Sequence, residues 1–201
     1  MPEPVLAVGG LVPFTTIDFP GRLAAVVFCQ GCPWRCTYCH NPHLLPPGGG
    51  ERPWAEVLAW LESRRGLLDG VVFSGGEPLL QRGLPAALAE VRALGFATAL
   101  HTAGIYPQRL AAVLPLLDWV GFDVKAPFAE YARIVGSDGG GAARAALETL
   151  LASGVDHEIR LTVAPELDAA AVERLRGELA ELGIIRLSLQ TYRPPVAAMA
   201  S

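Results

Sequence analysis

Leu23-Ala24-Ala25-Val26-Val27-Phe28, running into Cys29-Gln30-Gly31-Cys32-Pro33-Trp34-Arg35-Cys36-Thr37-Tyr38-Cys39, is the stretch that decides how this chain is read. Its first six residues form a continuous apolar run with the turn Asp18-Phe19-Pro20-Gly21 before it. A run of that length, apolar without alternation, reads as a strand buried on both faces, as in a parallel sheet. Three thiols follow at its carboxyl end, Cys32, Cys36 and Cys39, at the spacing C-x3-C-x2-C on one short loop. Iron–sulfur clusters are held by cysteine thiolates. A four-iron cubane gripped by three of them keeps one iron open, and an open position is what separates catalytic from structural metal sites.

All four cysteines of the chain lie between Cys29 and Cys39. A secreted disulfide framework would spread them to close larger loops, so clustering points to metal or redox chemistry. Cys29 extends the pattern to C-x2-C-x3-C-x2-C, which admits a four-cysteine zinc knuckle in a non-enzymatic interaction module as the alternative. Against it, Cys29 closes a buried strand, where a free cysteine packs as a small hydrophobe. With 51% hydrophobic and 18% charged residues in 201, the chain has material for a sizeable core and is not disordered. A net charge of −4 argues against nucleic acid as a partner, and no apolar run reaches the ~18 residues of a membrane span. The start, Met1-Pro2-Glu3-Pro4, lacks the basic and apolar stretches of a signal peptide, so the expected location is cytoplasmic.

Outward from the cysteine loop, strands and helices alternate. Val5 to Thr15, two apolar runs around Gly9-Gly10, suggest a small hairpin over about 5–15. Downstream of Pro46-Pro47-Gly48-Gly49-Gly50, Pro53 opens a helix with Trp54, Val57, Leu58 and Leu61 on one face. Strands are expected at 70–73, 96–100, 119–124, 159–163 and 185–190. Between them lie helices carrying Leu84, Leu88 and Val91, then Leu110, Val113 and Leu114, then Leu147, Leu150 and Leu151. A last one, with Asp168 as N-cap, carries Val172, Leu175, Leu179 and Leu182. Tyr131 and Gly139-Gly140-Gly141 fall in a longer loop, and a Pro- and Ala-rich tail over about 193–201 reads as flexible. The expected fold is α/β: one domain over 1–201, a partial, open parallel β/α barrel of about six strand–helix units with a short N-terminal β hairpin. An open doubly wound sheet is the alternative. Either fold puts its site at the carboxyl ends of the strands, where the polar motifs fall.

Those motifs are Ser74-Gly75-Gly76-Glu77-Pro78, His101-Thr102-Ala103-Gly104 and Asp123-Val124-Lys125. Gly75 and Gly76 allow close approach to the backbone, because no Cβ stands in the way. Asp123 and Lys125, two apart on a strand, project to one face and need partners if that face is interior. Arg160 lies on a neighbouring strand, and Thr102 offers a hydroxyl. Tyr38 and Trp34 can shield a cluster from water, and His40 follows the last thiol.

The cysteine spacing, the aromatic before Cys39 and the Gly75-Gly76-Glu77 motif resemble the radical S-adenosylmethionine (SAM) superfamily. That resemblance implies a [4Fe–4S] cluster on Cys32, Cys36 and Cys39 whose open iron chelates the methionine part of SAM. It implies further that Tyr38, Cys39 and His40 lie along the cofactor, with adenine near Tyr38. Gly75, Gly76 and Glu77 would take the SAM amino group and Lys125 its carboxylate, with Asp123, Thr102 and Arg160 as further contacts. The flanks Thr16-Ile17-Asp18-Phe19-Pro20-Gly21 and His40-Asn41-Pro42, with Phe122 to Pro127 and Tyr192-Arg193-Pro194, are similar to anaerobic ribonucleoside-triphosphate reductase activating proteins. These are glycyl-radical-enzyme activases. The implied partner is an anaerobic ribonucleotide reductase or another glycyl-radical enzyme, with an electron donor such as flavodoxin or ferredoxin. The implied reaction is one-electron cleavage of SAM to a 5′-deoxyadenosyl radical that takes hydrogen from a glycine. Where those proteins show Asp or Thr-Asn-Gly, this chain has His101-Thr102-Ala103-Gly104, which bears on a cation site or ribose contact there. A radical SAM enzyme acting on a small molecule, of the deazapurine synthase type, is the alternative within enzymes.

Overall fold

In the computed structural model, which describes residues 5–193, seven strands form one sheet. They are β1 (Val8–Thr15), β2 (Ala24–Cys29), β3 (Gly70–Gly75), β4 (Ala97–Thr102), β5 (Trp119–Val124), β6 (His157–Val163) and β7 (Ser188–Thr191). Spatial order equals chain order, β1 is antiparallel to β2, and β2 to β7 are all parallel. Every crossover therefore steps the same way round. A doubly wound sheet needs a reversal of that direction, so the open-barrel expectation holds and its alternative does not. β1 and β7 are not paired with each other, which leaves the barrel open.

Six helices complete the alternation: α1 (Trp54–Glu62), α2 (Leu84–Ala93), α3 (Pro107–Val113), α4 (Tyr131–Val135), α5 (Gly140–Ser153) and α6 (Ala169–Glu181). Successive strand residues point to opposite faces, and the two faces make two separate apolar clusters. Val27, Phe73, Leu100, Phe122 and Leu161 face outward and pack with Leu61, Leu88, Leu110, Leu147 and Leu175 of the helices. Ala24, Val26, Val72, Ala99 and Trp119 face inward with Phe19. Phe19 comes from the β1–β2 connection, and its ring lies 6.2 Å from that of Trp119 at the start of β5. Together they close the bottom of the barrel. Burial on both faces is why the strands read as unbroken apolar runs.

Three local expectations are corrected. Val8–Thr15 is a single strand, so the N-terminal hairpin is β1–β2 rather than one confined to about 5–15. Gly9-Gly10 marks a register shift between Val8 and Gly10, and a Cβ on Gly9 would lie 2.4 Å from Gln30 Oε1 and from Leu44 Cδ2. These glycines serve a bulge and a close contact, not a turn. The last strand begins at Ser188, and Ile185, expected within it, is 92% exposed. The loop around Tyr131 contains α4, ended by Gly136 in the left-handed conformation (φ 77°). Asp168 caps α6 as expected, accepting a hydrogen bond from the Ala171 N–H (2.7 Å). The proposed flexible tail lies, from residue 194, outside the described residues. Among the described residues no helix is long and apolar enough to cross a membrane.

Candidate active site

The carboxyl ends of the strands open onto one cavity. Cys32, Cys36, Tyr38, Cys39 and His40 line it from the β2 loop, and Gly75, Gly76 and Glu77 from the end of β3. Thr102 reaches it from β4, and Asp123 and Lys125 from β5. Of the residues the sequence offered for cluster or cofactor binding, Arg160 stays outside the lining, and so does Cys29 of the four-cysteine alternative.

The cysteine loop is held at both ends. At its base the Gly31 and Cys32 N–H groups donate to the carbonyls of Leu44 and Leu45 (2.7 and 3.1 Å). At its tip the Arg35 and Thr37 N–H groups donate to Val135 and Ile134 in the last turn of α4 (2.9 and 3.0 Å). Trp34 meets the Tyr131 ring edge-on at 5.8 Å, and a Cβ on Gly139 would run into the Trp34 indole at 2.4 Å. The loop thus rests on α4, a platform that no periodicity in five residues could announce.

All four thiols are free. Cys29 is fully buried in the sheet–helix core and does not line the cavity. Burial pushes the Cys32 thiol up to about 11 and raises Cys36 as well, with Lys125 acting against it at Cys36. Desolvated thiols of this kind ionise when a bound cationic core supplies the countercharge. Three thiols lining one shared cavity suit a cluster that keeps one position open. The four-cysteine zinc site fails on Cys29, whose side chain points the other way.

Glu77 is 1% exposed and fully engaged. Its Oε1 accepts from the Leu79 N–H (3.0 Å) and the Thr102 hydroxyl (2.7 Å), and its Oε2 from the Ala103 N–H (3.1 Å). Burial raises its pKa, against which those three hydrogen bonds act. Glu77 therefore clamps the end of β3 to the end of β4, and Thr102 has committed its one proton to that clamp. The paired glycines have a protein-internal reason too. The Gly76 and Glu77 N–H groups donate to Cys29 and Gly31 (3.0 and 2.9 Å), and a Cβ on Gly75 or Gly76 would lie 2.4 or 2.3 Å from cysteine-loop backbone. Gly75 also has φ 117°, open in practice to glycine alone.

Inside the barrel, Asp123 Oδ1 accepts from Arg160 Nε (2.8 Å), and Oδ2 lies 3.6 Å from Lys125 Nζ. Burial would raise the Asp123 carboxyl, but the Lys125 and Arg160 cations hold it below the ordinary range. Two cations on one carboxylate leave a net positive charge beneath the cavity. Arg160 fits because β5 carries Gly121 opposite it, where a Cβ would lie 2.7 Å from its Cζ. Lys125 is the only lysine in the chain, the other cationic side chains all being arginine. A compact ammonium where every other position uses guanidinium is a signal that the sequence offered. Thr162 and Gln190 also line the cavity and were missed. They follow from alternation, since Thr162 is two residues beyond Arg160 and pairs in register with Gln190.

His101 lies lower in the barrel, its Nε2 2.8 Å from the Asp18 carbonyl and its ring 5.6 Å from Trp119. The Arg160 guanidinium approaches the same nitrogen, with Nη1 at 3.4 Å. Burial, and then the nearby Arg160 cation, push its pKa down to about 4. The unfolded chain binds this proton near pH 6.5 and the folded chain resists it. Stability from this group is complete above about pH 6.5 and is lost as pH falls toward 4, by roughly 3 kcal/mol in all. Urea midpoints of the parent should fall between pH 7 and 4.5 by more than those of His101→Gln. Parallel pH profiles would contradict this placement.

Residues 26–179 match the family model described as the radical SAM superfamily. A Methanocaldococcus jannaschii protein, provisionally named a glycyl-radical enzyme activating enzyme, is 32% identical over 131 residues, 64% of this chain and 54% of that one. A pyruvate formate-lyase-activating enzyme from Clostridium pasteurianum is 40% identical over 118 residues, 54% of this chain and 48% of that one. The chain thus spans about half the length of these relatives. Among solved structures, anSMEcpe with bound AdoMet superposes with a TM-score of 0.67 at 22% identity, covering 83% of this chain and 50% of that one. QueE from Escherichia coli gives 0.53 at 18% identity over 93% and 94%. These two likenesses concern the fold. The family's cofactors are a [4Fe–4S] cluster and SAM, and the three cavity-lining thiols beside a cationic floor fit that pair. By this match and this site, the chain belongs to the radical SAM superfamily.

Proposed function

We propose that this protein activates a glycyl-radical enzyme, and that its partner is an anaerobic ribonucleoside-triphosphate reductase. The observation that carries the first part is the identity to activating enzymes, 32% over 131 residues and 40% over 118. The Asp18–Gly21 and His40–Pro42 flanks support the second. When bound, the cluster and SAM supply a one-electron reduction that yields a 5′-deoxyadenosyl radical able to take hydrogen from a glycine.

This chain's residues bind, orient and exclude water. Cys32, Cys36 and Cys39 hold the cluster, and Trp34, buried against Tyr131, keeps solvent from its loop. Lys125, steadied by Asp123, takes the SAM carboxylate, with Arg160 positioning Asp123 from below. Gly75, Gly76 and His40 line the path of the ligand, and Glu77 with Thr102 fixes the cavity wall. A small redox protein of the flavodoxin or ferredoxin type delivers the electron, and a reducing cytoplasm suits free thiols.

The test is anaerobic mixing of the reduced, reconstituted protein with SAM and the reductase, read by electron paramagnetic resonance. The expected result is a glycine-centred doublet on the reductase with 5′-deoxyadenosine formed alongside, the doublet lost when the target glycine is alanine. A doublet on pyruvate formate-lyase but not on the reductase would overturn the choice of partner. SAM cleavage with neither signal would overturn the activase reading in favour of a small-molecule substrate.

A further inference from the structure

The outer side of the cysteine loop is bare. Exposure alternates along it: Pro33, Arg35 and Thr37 face solvent, while Trp34 is buried and Cys36 lines the cavity. Arg35 holds the centre of this face. Its Nη1 donates to the carbonyls of Cys32 (2.7 Å) and Trp34 (3.0 Å), which pins the guanidinium to the loop. Among the described residues no carboxylate forms an ion pair with it. A guanidinium carries further N–H donors, and these stay open to a partner. The loop tip packs on the end of α4, where a Cβ on Gly136 would lie 3.6 Å from the Arg35 Cβ. Arg133 of α4 and Arg174 of α6, both exposed, share one carboxylate, Glu130 (2.8 and 2.6 Å). The loop and its platform thus set three guanidinium groups against the one carboxylate in contact with them.

The superfamily's reaction consumes an electron from outside the protein. SAM and the hydrogen donor share the cavity, so that electron has to cross the cavity wall, and tunnelling weakens steeply with distance. The wall is thinnest at the loop, since Arg35 and Thr37 flank Cys36 and Pro33 follows Cys32. Behind the strands it is backed by the outer layer of helices. We propose that the solvent face of Pro33 to Thr37, with Arg35 at its centre, docks the electron donor. The donor it fits is a small redox protein presenting carboxylates around its own redox centre. The inference rests on the electron-donor reading given above and not on the identity of the glycyl-radical partner. Cluster reduction precedes hydrogen abstraction, so the two readings fail separately.

The test uses the reconstituted protein and reduced flavodoxin, mixed anaerobically in a stopped-flow at low ionic strength. The rate of cluster reduction should fall about tenfold in Arg35→Glu and stay near the parent's in Arg35→Lys, which keeps the charge. Arg35→Gln, which removes the charge without reversing it, should lie between them, and decides the matter if Arg35→Glu disturbs the loop. Added salt should slow the parent and bring parent and variants together, because screening removes what the substitution removes. Affinity for oxidised flavodoxin, measured by calorimetry, should fall in the same order. Reduction by the photogenerated radical of a neutral deazaflavin, which needs no docking face, should be equal in all four proteins. Equal flavodoxin rates in the parent, Arg35→Gln and Arg35→Glu would overturn the inference. A loss in Arg35→Lys as large as in Arg35→Gln would overturn it by making the carbonyl hydrogen bonds the cause. Slowing with both reductants, or iron loss in both uncharged and reversed variants, would overturn it by giving Arg35 to the cluster. Weaker binding of the glycyl-radical enzyme with unchanged flavodoxin rates would give the face to that partner instead.

Discussion

Cys32→Ala, Cys36→Ala and Cys39→Ala are each expected to reduce SAM cleavage to background, whereas Cys29→Ala retains most of it. The four thiols sit within eleven residues, yet the structure sorts them sharply: three line the cavity and one is sealed in the core. Removing a cavity thiol leaves an iron without a protein ligand. Removing the Cys29 sulfur leaves a small void beside Val8 and Gly75, its register partners, at a cost of about 1 kcal/mol in stability. Iron content and 5′-deoxyadenosine formation after anaerobic reconstitution measure the first effect, and thermal unfolding the second. Full cleavage by any of the three cavity mutants, or loss of iron in Cys29→Ala alone, would refute the assignment.

Glu77→Ala is expected to act first on the protein and only then on the ligand. The substitution strips the acceptor from two backbone N–H groups and the Thr102 hydroxyl, all at a buried site. Removing one partner from a buried charged network costs roughly 3–5 kcal/mol, a large share of the 5–15 kcal/mol that holds a domain together. Because Glu77 also donates its N–H to Gly31, the loosened β3 end should disturb the cysteine loop and lower cluster retention. Glu77→Gln keeps one acceptor oxygen but turns an amide donor toward the second site, so an intermediate loss is expected. Urea unfolding of the ligand-free proteins checks the order parent, Gln, Ala. A Glu77→Ala protein as stable as the parent, with weakened SAM binding alone, would make Glu77 a direct ligand contact and not a clamp.

Much of this could be read along the chain. The strand–helix rhythm, the placement of the motifs at strand ends and the triplet of thiols are all local properties, set by runs and spacings of a few residues. Asp123 and Lys125 were paired by alternation alone, and the structure finds both facing the cavity. Three features needed the third dimension. Gly9-Gly10 reads as a turn until Gln30 and Leu44 are seen pressing on it. α4 is too short for a periodic signal and is defined by what it carries, the tip of the cysteine loop. Arg160 looked like a ligand contact, but Gly121 opens a slot that draws its guanidinium down to Asp123.

The sequence by itself determined that this is a parallel α/β chain with three closely spaced thiols on a loop at a strand's carboxyl end. Those are consequences of burial pattern and ligand spacing, and they do not depend on which distant residues meet. Only the tertiary structure decided that Cys29 belongs to the core, that Glu77 and Thr102 serve each other, and that Arg160 turns to Asp123. Each of these turns on which groups share a desolvated space. There a hydrogen-bond donor needs an acceptor, and residues far apart in the chain supply it.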